Sequence, residues 1–196
     1  MNKLILKDQQ LVLVDTRSAV DFTEGFIPGA LFLGIEGRFV EWALNLLSAD
    51  TPICLVTSAG KETYCAGLLR DAGFTHVVGF LEGGFEAWKD FGGTTDMIIN
   101  IDAGELAMDI PFDENLVIVD IRRPVEYAEG HVQYALNLPL DEMKDPVNIA
   151  NLNEKDNLYL HCASGYRSVI AASLLKIQGY HNIRNITGGW ESIKHT

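Results

Sequence analysis

The chain has few cysteines and lacks any long apolar run. Its three cysteines are an odd number and are not closely paired in sequence, so a disulfide framework is not expected. We expect instead that the protein resides in a reducing cytoplasm. No apolar stretch approaches the roughly 20 residues that cross a bilayer. At the N-terminus, residues 1–8 hold an apolar segment too short for the core of a secretory signal. These absences predict a soluble cytoplasmic protein.

Basic residues are also scarce. The chain has 15 lysines and arginines against 27 aspartates and glutamates, which gives a net charge of −12. Residues 1–97 carry 7 basic and 13 acidic side chains and residues 98–196 carry 8 and 14, so each half has a net charge of −6. Because neither half contains a basic patch, nucleic acid and anionic membranes are not expected partners.

An internal repeat divides the chain in two. The run that begins at Asp15 aligns with the run that begins at Asp120 at a constant offset of 105 residues. The identical pairs at this offset are Asp15 and Asp120, Arg17 and Arg122, Val20 and Val125, Gly25 and Gly130, and Ala30 and Ala135. Copies of roughly 100 residues match the size of a self-sufficient domain. We therefore expect two domains, residues 1–95 and 96–196, with a Gly- and Thr-rich linker at residues 91–96.

Each copy alternates short apolar runs with helix-like stretches. The predicted buried strands are residues 11–14, 53–56 and 76–78 in the first copy and residues 116–119, 158–161 and 182–184 in the second. Such strands, separated by helices, are typical of a parallel sheet that is covered on both faces. The predicted fold class is α/β, with each domain a small parallel sheet carrying helices on both faces. One helix is expected over residues 168–177.

Residues that can carry chemistry gather in one loop of the second copy. This loop follows a predicted strand, precedes a predicted helix and reads Cys162-Ala163-Ser164-Gly165-Tyr166-Arg167-Ser168. Open α/β sheets bind ligands at the carboxyl ends of their strands, where loop N–H groups and a helix N-terminus favour a thiolate and hold an anion. Arg167 adds a positive charge, Gly165 permits an unusual backbone, and Ser168 can cap the helix or donate to a sulfur anion. We therefore interpret Cys162 as a nucleophile rather than a buried structural thiol.

Both copies resemble rhodanese (sulfurtransferase) domains. The second copy contains four family elements in order: Asp-x-Arg from Asp120, Glu-Tyr-x-x-Gly-His-Val from Glu126, Cys-x-x-Gly-x-Arg-Ser from Cys162, and Gly-Gly-Trp from Gly188. Each element is weakly specific alone, but four in sequence within a duplicated chain are a strong indication.

The resemblance implies a function and a mechanism. Cys162 would take a sulfane sulfur from a donor, become a persulfide and pass the sulfur to a thiol or cyanide acceptor, with no metal and no cofactor. The loop from Ala163 to Ser168 would cradle the persulfide through backbone N–H groups. Arg167 would attract an anionic donor, either thiosulfate or a low-molecular-weight persulfide that bears carboxylates.

The remaining motif residues are expected to support the site. Asp120, Arg122 and Glu126 are expected to form a framework of ion pairs that braces the first strand and its helix. His131 follows the Gly-His-Val pattern and is interpreted as bracing its loop rather than as a general base. His161, inside the strand that precedes the nucleophile, is expected to be a core histidine.

The first copy departs from the family where the chemistry would occur. Depending on where the gap falls, Val56 or Thr57 occupies the position of the nucleophile, and neither forms a persulfide. Lys61 or Glu62 falls near the position of the arginine, and Phe26 replaces the histidine. We therefore expect the first domain to be catalytically inactive and the second to be active.

Two further features of the first copy lead to expectations. Cys54, inside a predicted strand, and Cys65, on the following helix, are interpreted as packing residues. The amino-acid sequence of residues 34–42 and 80–88 is similar to that of rhodanese tandems fused behind a metallo-β-lactamase-type persulfide dioxygenase. Only about ten residues precede the first strand of the first copy, so we hypothesise that the chain is cut from a longer one and that a persulfide dioxygenase domain is a candidate partner.

Other functions fit parts of the same sequence pattern. The loop is similar to that of cysteine phosphatases, but those place five residues between cysteine and arginine and this loop places four, which favours a compact sulfur over a phosphate. The mercaptopyruvate-specific branch is less expected because its loop usually lacks an arginine at position 167. A persulfide relay to a partner protein, or a regulatory binding module, remains the alternative to a turning-over enzyme.

Overall fold

The computed structural model describes residues 11–196. Residues 1–10 lie outside the described residues. The expectations about a secretory signal and about the short segment before the first strand concern these residues. The chain divides into two compact units, and the boundary in the sequence lies between Met97 and Ile98. Within residues 11–196, every helix is too short or too polar to span a bilayer.

The first unit contains a parallel sheet of four strands in the order β2-β1-β3-β4. Its strands are β1 (Val12–Asp15), β2 (Leu31–Phe32), β3 (Ile53–Val56) and β4 (Val77–Phe80). Its helices are α1 (Ala19–Glu24), α2 (Phe39–Leu46), α3 (Glu62–Asp71) and α4 (Gly84–Asp90). All four residues of β3 are buried, which explains why the strand is an unbroken apolar run.

The second unit contains a parallel sheet of five strands in the order β5-β9-β8-β6-β7. Its strands are β5 (Ile99–Ile101), β6 (Leu116–Asp120), β7 (Leu136–Asn137), β8 (Asn157–His161) and β9 (Ile183–Ile186). Its helices are α5 (Ala103–Asp109), α6 (Pro124–Ala128), α7 (Pro146–Ile149), α8 (Tyr166–Ile177) and α9 (Gly189–Ile193), with a short 3₁₀ helix at Leu140–Glu142. The predicted α/β class, with parallel sheets flanked by helices, is confirmed.

Two segments differ from the sequence-based expectation. Residues 91–96, predicted as a linker, belong to the first unit, because Trp88 Nε1 donates to Thr94 O at 2.7 Å and Phe26 pairs with Asp96 through two backbone hydrogen bonds. Helix α8 begins at Tyr166 rather than at residue 168, because Gly165 with φ +104° turns the loop directly into the helix. The helix N-terminus therefore lies closer to Cys162 than the sequence pattern indicated.

Candidate active site

Cys162 directly follows the central strand β8. Its neighbours β6 and β9 both pair with β8 in parallel, and His161 at the end of β8 is in register with Asp120 at the end of β6. The carboxyl ends of the strands therefore meet at one edge of the sheet, where ligands of open α/β sheets bind. Cys162 is 1% exposed, so its sulfur lies at the base of the loop.

Two polar groups of the loop lie within hydrogen-bonding distance of the Cys162 sulfur. The backbone N–H of Gly165 lies 3.2 Å from Sγ, and the hydroxyl of Ser168 lies 3.7 Å from it. Gly165 is also the N-cap of α8, a helix of 12 residues whose positive end faces the same loop. Donated hydrogen bonds and a helix N-terminus both favour a negatively charged sulfur.

The other loop residues are held from outside the loop. The backbone N–H groups of Trp190 and Glu191 donate to the carbonyls of Cys162 and Ala163 at 2.7 and 3.1 Å. Ala163 is half-buried, whereas Ser164 is exposed. Tyr166 is half-buried, and this burial raises the pKa of its phenol. The N-terminus of α9 thus fixes the start of the loop while α8 fixes its end.

Glu126 departs from the expected framework and pairs with the loop instead. Its carboxylate makes a bidentate ion pair with Arg167 at 2.7 and 2.8 Å, across 41 residues of sequence. Hydrogen bonds from Arg167 are the largest cause that lowers the pKa of Glu126 from 4.5 to about 2. In turn Glu126 is the largest cause that raises the pKa of Arg167, and the guanidinium also interacts with the Cys162 sulfur. Arg167 is therefore oriented toward the Cys162 sulfur by a carboxylate that offsets its charge.

Asp120 and Arg122 form a buried pair beneath the site. Arg122 donates to both carboxylate oxygens at 2.6–3.1 Å, donates to the carbonyl of Gly130 at 2.7 Å, and lies over the ring of Trp190. The first unit contains the same arrangement, in which Arg17 pairs with Asp15, donates to Gly25 O at 2.8 Å and lies over the ring of Phe85. Because the pair also occurs in the copy without the cysteine, it fits a bracing role.

The two histidines near the site differ in their surroundings. His131 stacks on the ring of Tyr127 at 3.8 Å between centroids, and its Nδ1 lies 3.0 Å from Tyr127 O, which fits the expected bracing of the loop. His161 is fully buried, and burial lowers its pKa despite Asp120 Oδ2 at 3.7 Å from Nε2. Residues 11–196 contain no group of three or more His, Cys, Asp or Glu side chains that could hold a metal ion.

Sequence reasoning missed a polar chain behind the loop. Ser168 Oγ donates to Asn185 Oδ1 at 2.7 Å, and Asn185 Nδ2 donates to Asn100 Oδ1 at 2.8 Å. The two asparagines are direct partners in the β5–β9 ladder. The available signal was the asparagine at position 185, where the first copy has Phe80 at the offset of 105 residues. This series of hydrogen bonds determines where the Ser168 hydroxyl lies relative to the Cys162 sulfur.

The structure resolves which first-unit residue matches the nucleophile. Val56 is in register with Asp15 as His161 is with Asp120, so Thr57 occupies the position of Cys162. At the same offset Glu62 occupies the position of Arg167, and its carboxylate accepts the N–H of Gly60 at 3.1 Å. In the first unit, the N–H equivalent to the sulfur-binding one of Gly165 is thus engaged by the loop's own glutamate.

The two cysteines of the first unit lie within a strand and a helix. Cys54 is buried within β3 and Cys65 within α3, where its sulfur lies 3.5 Å from Thr16 Oγ1. Burial raises the pKa of both thiols. Both thus fit the packing role that the sequence indicated.

Comparison with known proteins agrees with the geometry. The chain is 39% identical over 77 residues to the "Putative sulfur carrier protein YrkF" of Bacillus subtilis, covering 39% of this chain and 40% of that protein. It is 33% identical over 93 residues to a sulfurtransferase of Allochromatium vinosum, covering 47% of this chain and 85% of that protein. It is 34% identical over 70 residues to the thiosulfate sulfurtransferase PspE of Escherichia coli, covering 36% of this chain and 67% of that protein.

The family model of the rhodanese-like domain matches the chain twice, at residues 2–91 and 103–196. The two matches correspond to the two copies of the repeat and to the two parallel sheets. The chain therefore belongs to the rhodanese-like family and carries two copies of its domain.

Proposed function

We propose that the chain is a sulfurtransferase in which Cys162 carries a sulfane sulfur as a persulfide. The observation that carries this proposal is the Cys162 sulfur at a strand end, accepting from the Gly165 N–H with the Arg167 guanidinium beside it. Relatives named as sulfurtransferases support sulfur transfer in general. In this proposal the second unit, which begins at Ile98, is the active domain and the first unit is the inactive one.

The first half-reaction is a displacement at sulfur. The Cys162 thiolate attacks the outer sulfur of thiosulfate, a new S–S bond forms, and the bond to the sulfonate sulfur breaks. Sulfite leaves with the bonding electron pair, and the single negative charge of the thiolate moves to the outer atom of the persulfide. An organic persulfide reacts in the same way and releases a thiol. The positive end of α8 and the N–H of Gly165 stabilise this charge in both states.

The second half-reaction returns the enzyme to its thiolate. Cyanide attacks the outer sulfur of the persulfide and leaves as thiocyanate, while the S–S bonding pair stays on Cys162. A thiol acceptor is converted to a persulfide in the same step. Neither half-reaction changes the total charge or needs an electron donor, so the residues of the loop suffice.

Each remaining motif residue has a role in this scheme. The loop from Ala163 to Ser168 shapes the persulfide site, and Glu126 orients Arg167 toward it. Asp120, Arg122 and His131 act through the backbone of the loops they hold. Because all three cysteines are free and buried, we place the reaction in a reducing compartment, the cytoplasm.

A relay to a partner protein is the second candidate. The chain spans 40% of the length of the Bacillus subtilis relative, whose name is that of a sulfur carrier, and this name favours a role in which the persulfide is handed on. The resemblance of residues 34–42 and 80–88 to dioxygenase-fused tandems makes a persulfide dioxygenase domain the proposed partner. Steady turnover of thiosulfate with cyanide supports the enzyme, and a persulfide released only to a protein supports the relay.

Mass spectrometry after incubation with thiosulfate tests the proposal. We expect the wild-type chain to gain one sulfur on the peptide that contains Cys162, and we expect Cys162→Ser to gain none. A gain on Cys54 or Cys65 would overturn the site assignment, because both thiols are buried in the first unit. No gain on any cysteine, with thiosulfate or glutathione persulfide as donor, would overturn the proposed chemistry.

A further inference from the structure

We propose that Arg123 is a specificity-determining residue that selects anionic sulfur donors at the mouth of the loop. The inference rests on the proposed function and names the substrate class of the same site. Arg123 belongs to none of the family elements found in the sequence, and it lies between Arg122 and the first turn of α6.

Arg123 is linked to the loop through Glu126. Its Nε lies 3.3 Å from Glu126 Oε2, and this same oxygen accepts from Arg167 Nη1 at 2.8 Å. The two guanidinium groups therefore share one carboxylate oxygen. The Arg123 side chain is 70% exposed, so it forms the outer end of a row that runs from solvent through Glu126 to Arg167 and the Cys162 sulfur.

The charges in this row do not cancel. Glu126 contributes one negative charge, and its bidentate pair offsets that of Arg167. Arg123 contributes a second positive charge and uses only its Nε–H in the row. The four N–H bonds of its two terminal nitrogens have no partner among residues 11–196. One unpaired guanidinium edge thus faces solvent beside the loop, which is the geometry that binds carboxylate and sulfonate oxygens.

The first unit lacks this row. At the offset of 105 residues, Ser18 stands for Arg123, Asp21 for Glu126 and Glu62 for Arg167. Ser18 accepts the backbone N–H of Asp21 and caps helix α1. The two arginines thus occur only in the copy that has the cysteine, as expected if they handle the donor rather than the fold.

The position of Arg123 determines which kinetic step it affects. Its side chain contacts Glu126 and is 70% exposed, so we expect it to act on donor binding rather than on the displacement. Coulomb's law in water gives about a threefold effect on binding per unit of donor charge at a separation of about 6 Å, and about tenfold for a dianion. The effect is expected to weaken with added salt, because the group is exposed.

Rapid-quench mass spectrometry of Cys162 persulfide formation tests the proposal. The wild-type chain and Arg123→Gln are compared over a concentration series of three donors, which yields the limiting rate and the half-saturating concentration separately. The donors are thiosulfate, whose charge is next to the sulfane sulfur, glutathione persulfide, whose carboxylates are remote from it, and 2-hydroxyethyl persulfide, which has no carboxylate.

We expect Arg123→Gln to raise the half-saturating concentration of at least one anionic donor by about three- to tenfold, with the limiting rate nearly unchanged. The donor whose half-saturating concentration rises more shows whether Arg123 binds a charge next to the sulfane sulfur, as in thiosulfate, or a remote carboxylate, as in glutathione persulfide. The value for 2-hydroxyethyl persulfide, whose one negative charge lies on its terminal sulfur, should rise less than that for thiosulfate, which is a dianion. Arg123→Lys, which keeps the charge, should retain most of the wild-type affinity.

The matched control is Arg38→Gln. Arg38 makes the same kind of exposed pair with a glutamate three residues on, at 3.1 Å from Glu41, but in the unit without the cysteine. It should leave all three donors unaffected. An equal rise for all donors, or no rise for either anionic donor in an active protein, would overturn the role of Arg123 alone. A wild-type chain that forms no persulfide with any donor would overturn the proposed function and this inference with it.

Discussion

At the scale of single residues, Glu126 links acid stability to the loop. Arg167 lowers the pKa of its carboxyl from 4.5 to about 2, so the folded state binds this proton less tightly than the unfolded chain. The pair therefore stabilises the fold above about pH 4.5, and its contribution is lost as the pH falls from there toward 2. We expect the free energy of unfolding to fall less steeply across this window in Glu126→Gln than in wild type.

Urea denaturation at a series of pH values measures this difference. The control is Glu41→Gln, which removes the same charge from the exposed pair with Arg38 in the first unit. Parallel curves for wild type and Glu126→Gln between pH 4.5 and 2 would contradict the link between this carboxylate and the fold.

Residues whose partners are near in sequence could be predicted, and residues with distant partners could not. The Asp120–Arg122 pair spans two positions, and the spacing already indicated it. The Glu126–Arg167 pair spans 41 residues, and it forms because α6 and the loop after β8 come together only in the folded unit. The same reason hid Asn185, whose partner Asn100 lies 85 residues away. Three-dimensional pairing, rather than residue type, was the missing information.

At the scale of elements, the start of α9 holds the loop in place. Gly189 has φ +57°, and a Cβ at this position would lie 2.8 Å from Ala163 O and closer still to Cys162 O. Gly189→Ala therefore forces the helix away from the loop and adds backbone strain of about 1–2 kcal/mol. We expect persulfide formation on Cys162 to slow by about tenfold or more, since small displacements of reacting groups are costly.

Gly84→Ala is the matched control for this variant. Gly84 starts α4 with φ +60°, and a Cβ there would lie 2.9 Å from the carbonyl of Thr57. The control should cost the first unit similar stability, measured by thermal unfolding, and leave the rate of persulfide formation at Cys162 unchanged. Equal losses of rate in both variants would show that the effect is one of general stability.

The pattern of elements was predicted to different degrees. The central strands were recognisable because burial on both faces requires apolar residues in succession, as throughout β3 and in the middle of β8. Strand β5 is absent from the predicted strands, because three residues with an asparagine in the middle give no strand signal on their own. The two-residue strands β2 and β7 exist only through pairing with β1 and β6. Short strands at the edge of a sheet thus depend on contacts that the local sequence does not encode.

At the scale of the whole molecule, the duplication provides a test of what makes the site reactive. Thr57 stands at the position of the nucleophile in the first unit, but Glu62 and Asp21 stand where the second unit has Arg167 and Glu126. In a Cys162→Ser background we expect Thr57→Cys alone to gain no sulfur from thiosulfate, because negative charge beside the loop disfavours both thiolate and donor. Adding Glu62→Arg should produce a measurable gain.

Intact-mass measurement after incubation with thiosulfate follows both variants. Sulfur uptake by Thr57→Cys alone, at a rate near that of wild-type Cys162, would show that the loop backbone suffices and that the side-chain charges are dispensable. Uptake by neither variant would show that the first unit differs from the second in more than the residues named here.

Glu62, in the loop of the first unit that matches the Cys162 loop, also bears on whether the two units would compete for a donor in the proposed function. A donor present at low concentration would be depleted by a second copy that bound it without reacting. Because the Gly60 N–H already donates to Glu62, a thiosulfate ion would have to displace a carboxylate tethered to the same loop and approach its negative charge. In the proposed function, the first unit would thereby be kept from acting as a sink, and donor ions would associate where Cys162 can consume them.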